Sequence, residues 1–354
     1  MMIDTAHPVM ITGATGFVAG WIVKLLLEAG VTVHAPIRNM ADASKTKHLA
    51  ELAAKTLGTI KFFEADLLKA GSYAQAMAGC QTVFHTASPF VTNVANPQKD
   101  LVDPAVIGTR NVLEEASRVE SVKRVVLTSS CAAIYGDAAD VQEAPGGILT
   151  EEIWNTTSSL QHNPYSYSKT VAEREAWAIA KRQSRWDLVV INPSLVFGPA
   201  INPHTTSESL RIVRQIGDGT LKMGAPRMGM GAVDVRDLAT AHLAAAFTPS
   251  ASGRYIINGV NSDLLEIAKT LLPKYGKAYP IPRRTMPKWL MWLAGPLAGD
   301  GITRKFVARN VGYAWKADNG RGRRELGQTY RPLQETMNDM FEQMIASGLV
   351  TSKK

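Results

Sequence analysis

A phenol and an ammonium stand four residues apart in Tyr165-Ser166-Tyr167-Ser168-Lys169, just ahead of the helical run VAEREAWAIA. On a helix that spacing puts both on one face, about one turn apart. A phenol whose pKa is near 10 relays protons poorly at neutral pH, and a neighbouring ammonium favours the phenolate and lowers that pKa. Tyr167 offers no such pair, because Val171 stands four residues beyond it. Earlier in the chain, the apolar run 125–128 ends in Ser129-Ser130-Cys131-Ala132. Hydroxyls at the carboxyl end of a strand lie where open α/β sheets place ligands. One of them would hold a substrate oxygen while the tyrosine exchanges its proton. Y-x-x-x-K alone is a common chance pattern, so the weight falls on what precedes it.

The elements that would position these groups begin at the N-terminus. An apolar run at 9–11 breaks at Gly13 and Gly16 and then continues as a helical pattern to Gly30. This reads as strand, tight glycine turn and helix, the opening of a dinucleotide-binding βαβ unit. Gly13 permits an unusual backbone turn, and Gly16 lets the chain approach a pyrophosphate. The helix amides around Thr15, Phe17 and Val18 would face its negative charge. The alternating, β-branched run 31–37 is a second strand, and it ends at Arg38. An acid there would take a ribose 2′-hydroxyl, whereas an arginine accommodates a 2′-phosphate. With Lys45 and Lys47 following, the segment favours NADPH over NADH, the alternative being ordinary surface cations. A third strand at 60–63 leads to Asp66 and Leu67, where Asp66 would meet the adenine amino group or cap the next helix. Residues 82–85 form a buried strand followed by the small residues Thr86, Ala87 and Ser88, past which a cofactor can run. A helix over 108–115 and the strand at 125–128 continue the alternation. The pattern predicts an α/β fold, a doubly wound, mostly parallel Rossmann sheet covered by helices on both faces.

Composition narrows the classes. The chain has 354 residues, 45% hydrophobic and 20% charged, enough for two lobes with cores of their own. Cys80 and Cys131 are the only cysteines, too few for a disulfide framework or a zinc cluster; reduced thiols and a cytoplasmic location are expected, with no bound metal. The N-terminus does not read as a signal peptide, and no window is apolar long enough to span a bilayer. A net charge of +8 invites a nucleic-acid reading, but the basic residues are dispersed and no nucleic-acid motif accompanies them, so neither nucleic acid nor membrane is an expected partner.

In sequence order the glycine turn, the strand-end hydroxyls and the Tyr/Lys pair make the chain resemble the extended, or atypical, short-chain dehydrogenase/reductases. Within them it is similar to the dihydroflavonol 4-reductase-like and aldehyde reductase group. The matching stretches are TGATGFVAGW, Arg38, HTASP at 85–89, VVLTSS at 125–130, YSYSK at 165–169, INPSLVFGP at 191–199, VDVRDLATAH at 233–242 and GRYIING at 253–259. The resemblance implies a catalytic triad of Ser130, Tyr165 and Lys169, the serine being the second of the pair. It places Pro193 and Leu195 near the nicotinamide. Two departures stand out. The third glycine of the family's turn is Ala19, with Gly20 beside it, which is tolerable where close helix packing is the need. An asparagine that grips flavonoid in plant relatives is replaced by Tyr135, which leaves flavonoid reduction open.

The implied activity is NADPH-dependent reduction of an aldehyde or ketone on a hydrophobic small molecule. Phe90, Cys131, Ala132, Tyr135, Phe197 and Met223 are the expected substrate contacts. The dinucleotide domain would take residues 7–200 plus 228–260, and a smaller, mostly helical substrate lobe 201–227 plus 261–354. Helices are expected at 209–216, 264–275, 286–293 and 333–345, with Asp237 capping a helix over 238–247 and Trp289 and Trp292 in the core. Rival readings are a sugar-nucleotide epimerase or dehydratase, a 3β-hydroxysteroid dehydrogenase-type enzyme, and a non-catalytic dinucleotide sensor. A monomer or simple homodimer is expected.

Overall fold

The computed structural model describes residues 2–88, 94–202, 205–298 and 302–351. Among the described residues there are ten strands: β1 (Val9–Thr12), β2 (Thr32–Ile37), β3 (Thr59–Glu64), β4 (Thr82–His85), β5 (Arg124–Thr128), β6 (Asp187–Pro193), β7 (Leu195–Phe197), β8 (Gly229–Asp234), β9 (Gly253–Ile257) and β10 (Val260–Asp263). Seven make one sheet in the order β3-β2-β1-β4-β5-β6-β9. Every pairing in it is parallel. The chain builds outward from β1 to β3 and then returns to add β4 on the other side of β1. The crossover helices therefore lie on opposite faces, and a crevice opens at the carboxyl ends of β1 and β4.

Two cores follow from the two-residue period of the strands. Val126, with Ile11, Val33, Phe84, Val189 and Ile191, faces the Phe17–Glu28 and Val235–Phe247 helices. Val125 and Leu127, with Met10, Val83, Leu188 and Val190, face the Asp103–Arg118 and Pro164–Ala180 helices. Strands buried on both faces need apolar side chains on each, which is why the middles of β1, β4 and β5 are hydrophobic and polar residues fall at their ends.

Beyond β6 the architecture changes. Strands β7, β8 and β10 form a separate sheet in the order β10-β8-β7, with β8 and β10 antiparallel. Against it pack the Glu208–Gly217, Leu264–Lys269 and Leu333–Ala346 helices, around Phe197, Leu210, Val213, Ile216, Met337 and Phe341. The helix expected over 264–275 is two pieces, the second being Leu272–Tyr275, with Pro273 in its first turn. Among the described residues no helix is long and apolar enough to cross a membrane.

Two local expectations are corrected. Asp234, not Asp237, caps the Val235–Phe247 helix, accepting from Arg236 N at 2.7 Å; Asp237 instead accepts from Arg331 N at 2.6 Å. Trp289 and Trp292 are 65% and 41% exposed rather than core. The Lys288–Ala298 helix lies against the next one, Lys288 Nζ donating to Ala308 O at 2.8 Å and a Cβ at Gly295 coming within 2.8 Å of Ile302, without covering the indoles. The tryptophans are left outside, with Arg304 stacked 4.5 Å over the Trp292 ring.

The turn into β3 is held by backbone contact. Gly58 N donates to Leu27 O at 2.7 Å, and a Cβ there would lie 2.4 Å from Val31 O and 2.8 Å from Leu27 Cα. Backbone atoms cannot yield as a flexible side chain does, so Gly58→Ala is expected to destabilise the protein by about 1–3 kcal/mol. Urea denaturation of the variant beside the wild type measures this.

Candidate active site

The crevice between β1 and β4 is laced by one buried hydroxyl. Thr12 Oγ1 accepts from the amides of Thr86, at 3.1 Å, and Ala87, at 3.0 Å, and meets His85 Nδ1 at 2.9 Å. Thr86 Oγ1 donates in return to Thr12 O at 2.5 Å. These bonds bring the glycine turn against the second loop, and Gly13 shows how closely. It has φ +68°, and a Cβ there would sit 3.1 Å from Ala87 Cα. Only glycine meets both demands without strain. Gly16, with extended backbone at φ −79° and ψ 171°, precedes the Phe17–Glu28 helix, whose first turn has neither an acidic residue nor a side-chain cap. The first amides, flanked by Thr15, Phe17 and Val18, are left for an anion. Ala19 is buried, and a Cβ at neighbouring Gly20 would lie 3.3 Å from Ile201 Cβ, so close packing falls on Gly20 as well.

Arg38 is exposed at the end of β2, and its charge reaches the Tyr73 phenol. Lys45 lies nearby in a short helical turn, 3.5 Å from Asp42. Asp66 caps a turn rather than a helix, its Oδ1 accepting from Leu68 N at 2.8 Å. Leu67 O accepts from Asn111 Nδ2 at 2.9 Å, which ties this loop to the Asp103–Arg118 helix. A glycine cradle, unclaimed helix amides and a strand-end cation fit an NADP-type dinucleotide laid across the crevice.

The two serines after β5 have different partners. Ser129 Oγ is buried and donates to Glu173 Oε2 at 2.5 Å. Ser130 Oγ accepts from Ala132 N at 3.1 Å and lies near enough to the Tyr165 hydroxyl to favour its ionised form. Pro164 opens the Pro164–Ala180 helix that carries Tyr165 and Lys169, a position where its missing N–H costs nothing. One turn on, Lys169 Nζ lies 5.9 Å from the Tyr165 ring centroid and donates to Ser88 Oγ at 3.0 Å. The fold thus brings together Ser88, Ser130, Tyr165 and Lys169 from three segments.

The electrostatics depart from the expectation that Lys169 lowers the Tyr165 pKa. The ring is open to the cleft, 52% exposed, but its hydroxyl lies among protein atoms. Desolvation raises the phenol above its ordinary value against the opposing influence of the Ser130 hydroxyl, and Glu208 adds to the rise. Lys169 is too far away, and too engaged with Ser88, to reverse this. Desolvation also depresses Lys169, to about 8, with the Glu173 carboxylate working against it. Behind the lysine a small polar cavity is lined by His85, Ser88, Thr109, Ser129 and Glu173. Burial, and then the Lys169 charge, push His85 down to about 3, so it is neutral.

Glu173 is the residue that sequence reasoning missed. Only 1% exposed, it accepts from Ser129, from Asn192 Nδ2 at 2.8 Å and from Trp177 Nε1 at 3.3 Å, and it pairs with Arg254 Nε at 2.6 Å. A signal was there to find. Glu173 is four residues beyond Lys169 on the same helix, and Arg254 is a lone charge in an apolar strand.

The expected substrate contacts scatter. Phe90 lies outside the described residues. Ala132 and Tyr135 border the serine loop, the Tyr135 ring 5.7 Å from that of Trp315. Cys131 is buried with Sγ donating to Asn192 O at 3.3 Å, and burial pushes its thiol up. Phe197 is wholly buried in the core of the second sheet, so packing claims it rather than a pocket. Leu195 packs on the edge of that core and Pro193 ends β6. Met223 is 78% exposed in the loop after the Glu208–Gly217 helix.

Comparison with known proteins extends over this same framework. The model of the NAD dependent epimerase/dehydratase family matches residues 9–258. Cinnamoyl-CoA reductase CAD2 of Medicago truncatula is 38% identical over 77% of this chain and 82% of its own. An anthocyanidin reductase of Vitis vinifera is 36% identical over 78% of this chain and 85% of its own. Among solved structures, Gre2 from Candida albicans in complex with NADPH superposes with a TM-score of 0.76 at 28% identity, over 96% of this chain and 99% of that one. Seven parallel strands, the glycine turn at their switch point and a family model reaching from β1 past β9 agree: the chain belongs to the NAD dependent epimerase/dehydratase family.

Proposed function

We propose that this protein is an NADPH-dependent reductase of aldehydes or ketones, acting on hydrophobic carbonyl compounds. Its substrate lobe comprises residues 201–227 plus 261–354. The observation that carries the reading is the Ser130–Tyr165 hydroxyl pair at the end of β5, with Lys169 one helical turn on and a dinucleotide cradle alongside. The relatives' names, cinnamoyl-CoA and anthocyanidin reductase, support carbonyl chemistry on aromatic molecules.

When bound, NADPH supplies the hydride that reduces the carbonyl carbon. The protein's share is placement and a proton. Gly13, Gly16 and the amides of the first helix hold the pyrophosphate, and Arg38 with Lys45 receives the 2′-phosphate. Because Ala132 N already occupies one lone pair of Ser130 Oγ, the serine proton is free to point toward the cleft and polarise the carbonyl oxygen. Tyr165 gives up its hydroxyl proton to that oxygen. Its raised pKa suits a donor, since it keeps the phenol protonated until the substrate needs it. Lys169 holds the nicotinamide ribose from the Ser88 side.

Tyr165→Phe is expected to lower kcat by about 10²–10⁴-fold, while calorimetry finds NADPH affinity within twofold of wild type; undiminished turnover removes the assignment. An NADPH-oxidation screen over aromatic aldehydes, α-ketocarbonyls, flavonoids and steroids, run beside NADH, identifies the substrate class. Tightly bound NAD that survives purification, with no aldehyde turnover, would instead favour the epimerase reading. Arg38→Glu should raise KM for NADPH by roughly 10–100-fold while sparing NADH, the loss of one charge-assisted contact. The depressed Lys169 predicts a pH limb as well. Below pH 8 the ammonium is charged and holds the ribose; as pH rises through about 8 it loses its proton, and kcat/KM for NADPH should fall. In Lys169→Arg, which stays charged, that limb should vanish even if the rate is lower.

A further inference from the structure

One carboxylate beside the site has no part in the chemistry above. Asp137 is completely buried. Its Oδ1 accepts from Asn163 Nδ2 at 2.9 Å and Asn310 Nδ2 at 2.7 Å; its Oδ2 meets His162 Nε2 at 2.7 Å and accepts from Arg309 Nε at 2.7 Å. Those four partners fill the lone-pair sites of an ionised carboxyl. Burial alone would raise its pKa, but the bonds from His162, Asn310 and Arg309 prevail and hold it below the ordinary value.

The partners come from two distant parts of the chain. Asn163 immediately precedes the catalytic helix, and it is the one non-glycine among the described residues with positive φ, at +54°. Asparagine tolerates this left-handed conformation better than most residues, yet it remains unfavourable without support. Asn163 lacks the side-chain bond that usually caps a helix. Its amide is drawn away to Gly136 O, at 2.8 Å, and to Asp137. Arg309 and Asn310 end the Arg304–Asn310 helix of the C-terminal region. Their backbone and side chains knit the same loop: Ala139 N donates to Arg309 O at 3.0 Å and Ala138 N to Asn310 Oδ1 at 2.9 Å. Arg309 also reaches Asp140 at 2.6 Å.

We propose that Asp137 is a positioning residue for Tyr165: it locks Asn163 in the left-handed turn that launches the catalytic helix and ties that turn to the Arg309–Asn310 end of the C-terminal lobe. Tyr165 is the second residue of the helix, in the turn whose amides have no helical partners, so the entry of the chain decides where the phenol lies. The seating of the lobe thereby sets the reach from the Tyr165 hydroxyl to Ser130. The proposal rests on the reductase reading for its assay but not for its geometry.

The test is a set of variants compared for kcat, NADPH dissociation constant and melting temperature, all assayed at least 10 °C below the lowest melting point. Asn163→Ala, which disfavours positive φ, is expected to lower kcat tenfold or more with NADPH affinity within twofold. Asn163→Gly, which adopts that φ freely, is expected to stay within threefold of wild type. Asp137→Asn turns an amino group toward two of the four donors and should lower kcat by tenfold or more, and Arg309→Ala should follow it, Arg309→Lys recovering part of the loss. Equal losses in the alanine and glycine variants at 163 would overturn the proposal. So would Asp137 and Arg309 variants that melt earlier but turn over normally, or that lose NADPH affinity as much as kcat. If Asp137→Asn does not fold, Arg309→Ala, Arg309→Lys and the 163 pair decide together. Full activity in Tyr165→Phe would overturn the Tyr165 assignment and this proposal with it, whereas loss in Tyr165→Phe together with equal losses in both 163 variants would overturn the positioning role alone.

Discussion

Glu173 is a carboxylate buried away from water, and the arrangement of the site depends on how it is satisfied. An ion moved from water into a protein interior is costly unless charge and hydrogen bonds compensate it fully. Here the compensation comes from the Arg254 guanidinium in β9, the Asn192 amide in β6, the Ser129 hydroxyl after β5 and the Trp177 indole on its own helix. Three neighbouring strands and the catalytic helix are thus tied at one point. Taking away a single partner of such a pair leaves an uncompensated charge, worth about 3–5 kcal/mol. Lys169 lies one turn before Glu173, and Ser130 follows Ser129, so the point that fixes the helix also fixes the positions of both.

Arg254 is held in turn. Its Nη1 donates to Glu151 O and Ile153 O, both at 2.7 Å, and its guanidinium stacks 4.0 Å over the Trp154 ring. A planar cation can form a fork and a stack at once, which lysine cannot do. The loop before the catalytic helix is therefore pinned from the far edge of the sheet as well as from Asp137. The candidate site is thus braced by hydrogen bonds and ion pairs from several elements, while Tyr165 stays half open to solvent.

The glycine turn, Arg38, the strand-end serines and the Tyr/Lys pair were legible because each is a local statement: a residue type at a fixed place relative to a strand end or a helix start. So were the strands of the main sheet, which need apolar side chains on both faces. What escaped was decided by the surroundings. Asp234 and Asp237 both sit near a helix start, and only the approach of Arg331 takes Asp237 away from the cap. Trp289 and Trp292 have core-like chemistry, but no element among the described residues packs over the helix that carries them closely enough to bury either indole. Phe197 looked like a pocket wall and is consumed by the second sheet. The Tyr165 pKa was misjudged because spacing along a helix says that Lys169 is near, not that its ammonium turns to Ser88.

By itself, then, the sequence determined the parallel sheet, the place of its switch point and the residues that stand at the strand ends, since periodicity and glycine placement act over a few residues at a time. Only the tertiary structure decided that Ser129 is spent on a buried carboxylate, which carboxylates are buried and satisfied, and how a segment more than 140 residues away braces the start of the catalytic helix. Burial and pairing across such separations depend on where the chain returns in space, and no local pattern of residues encodes that.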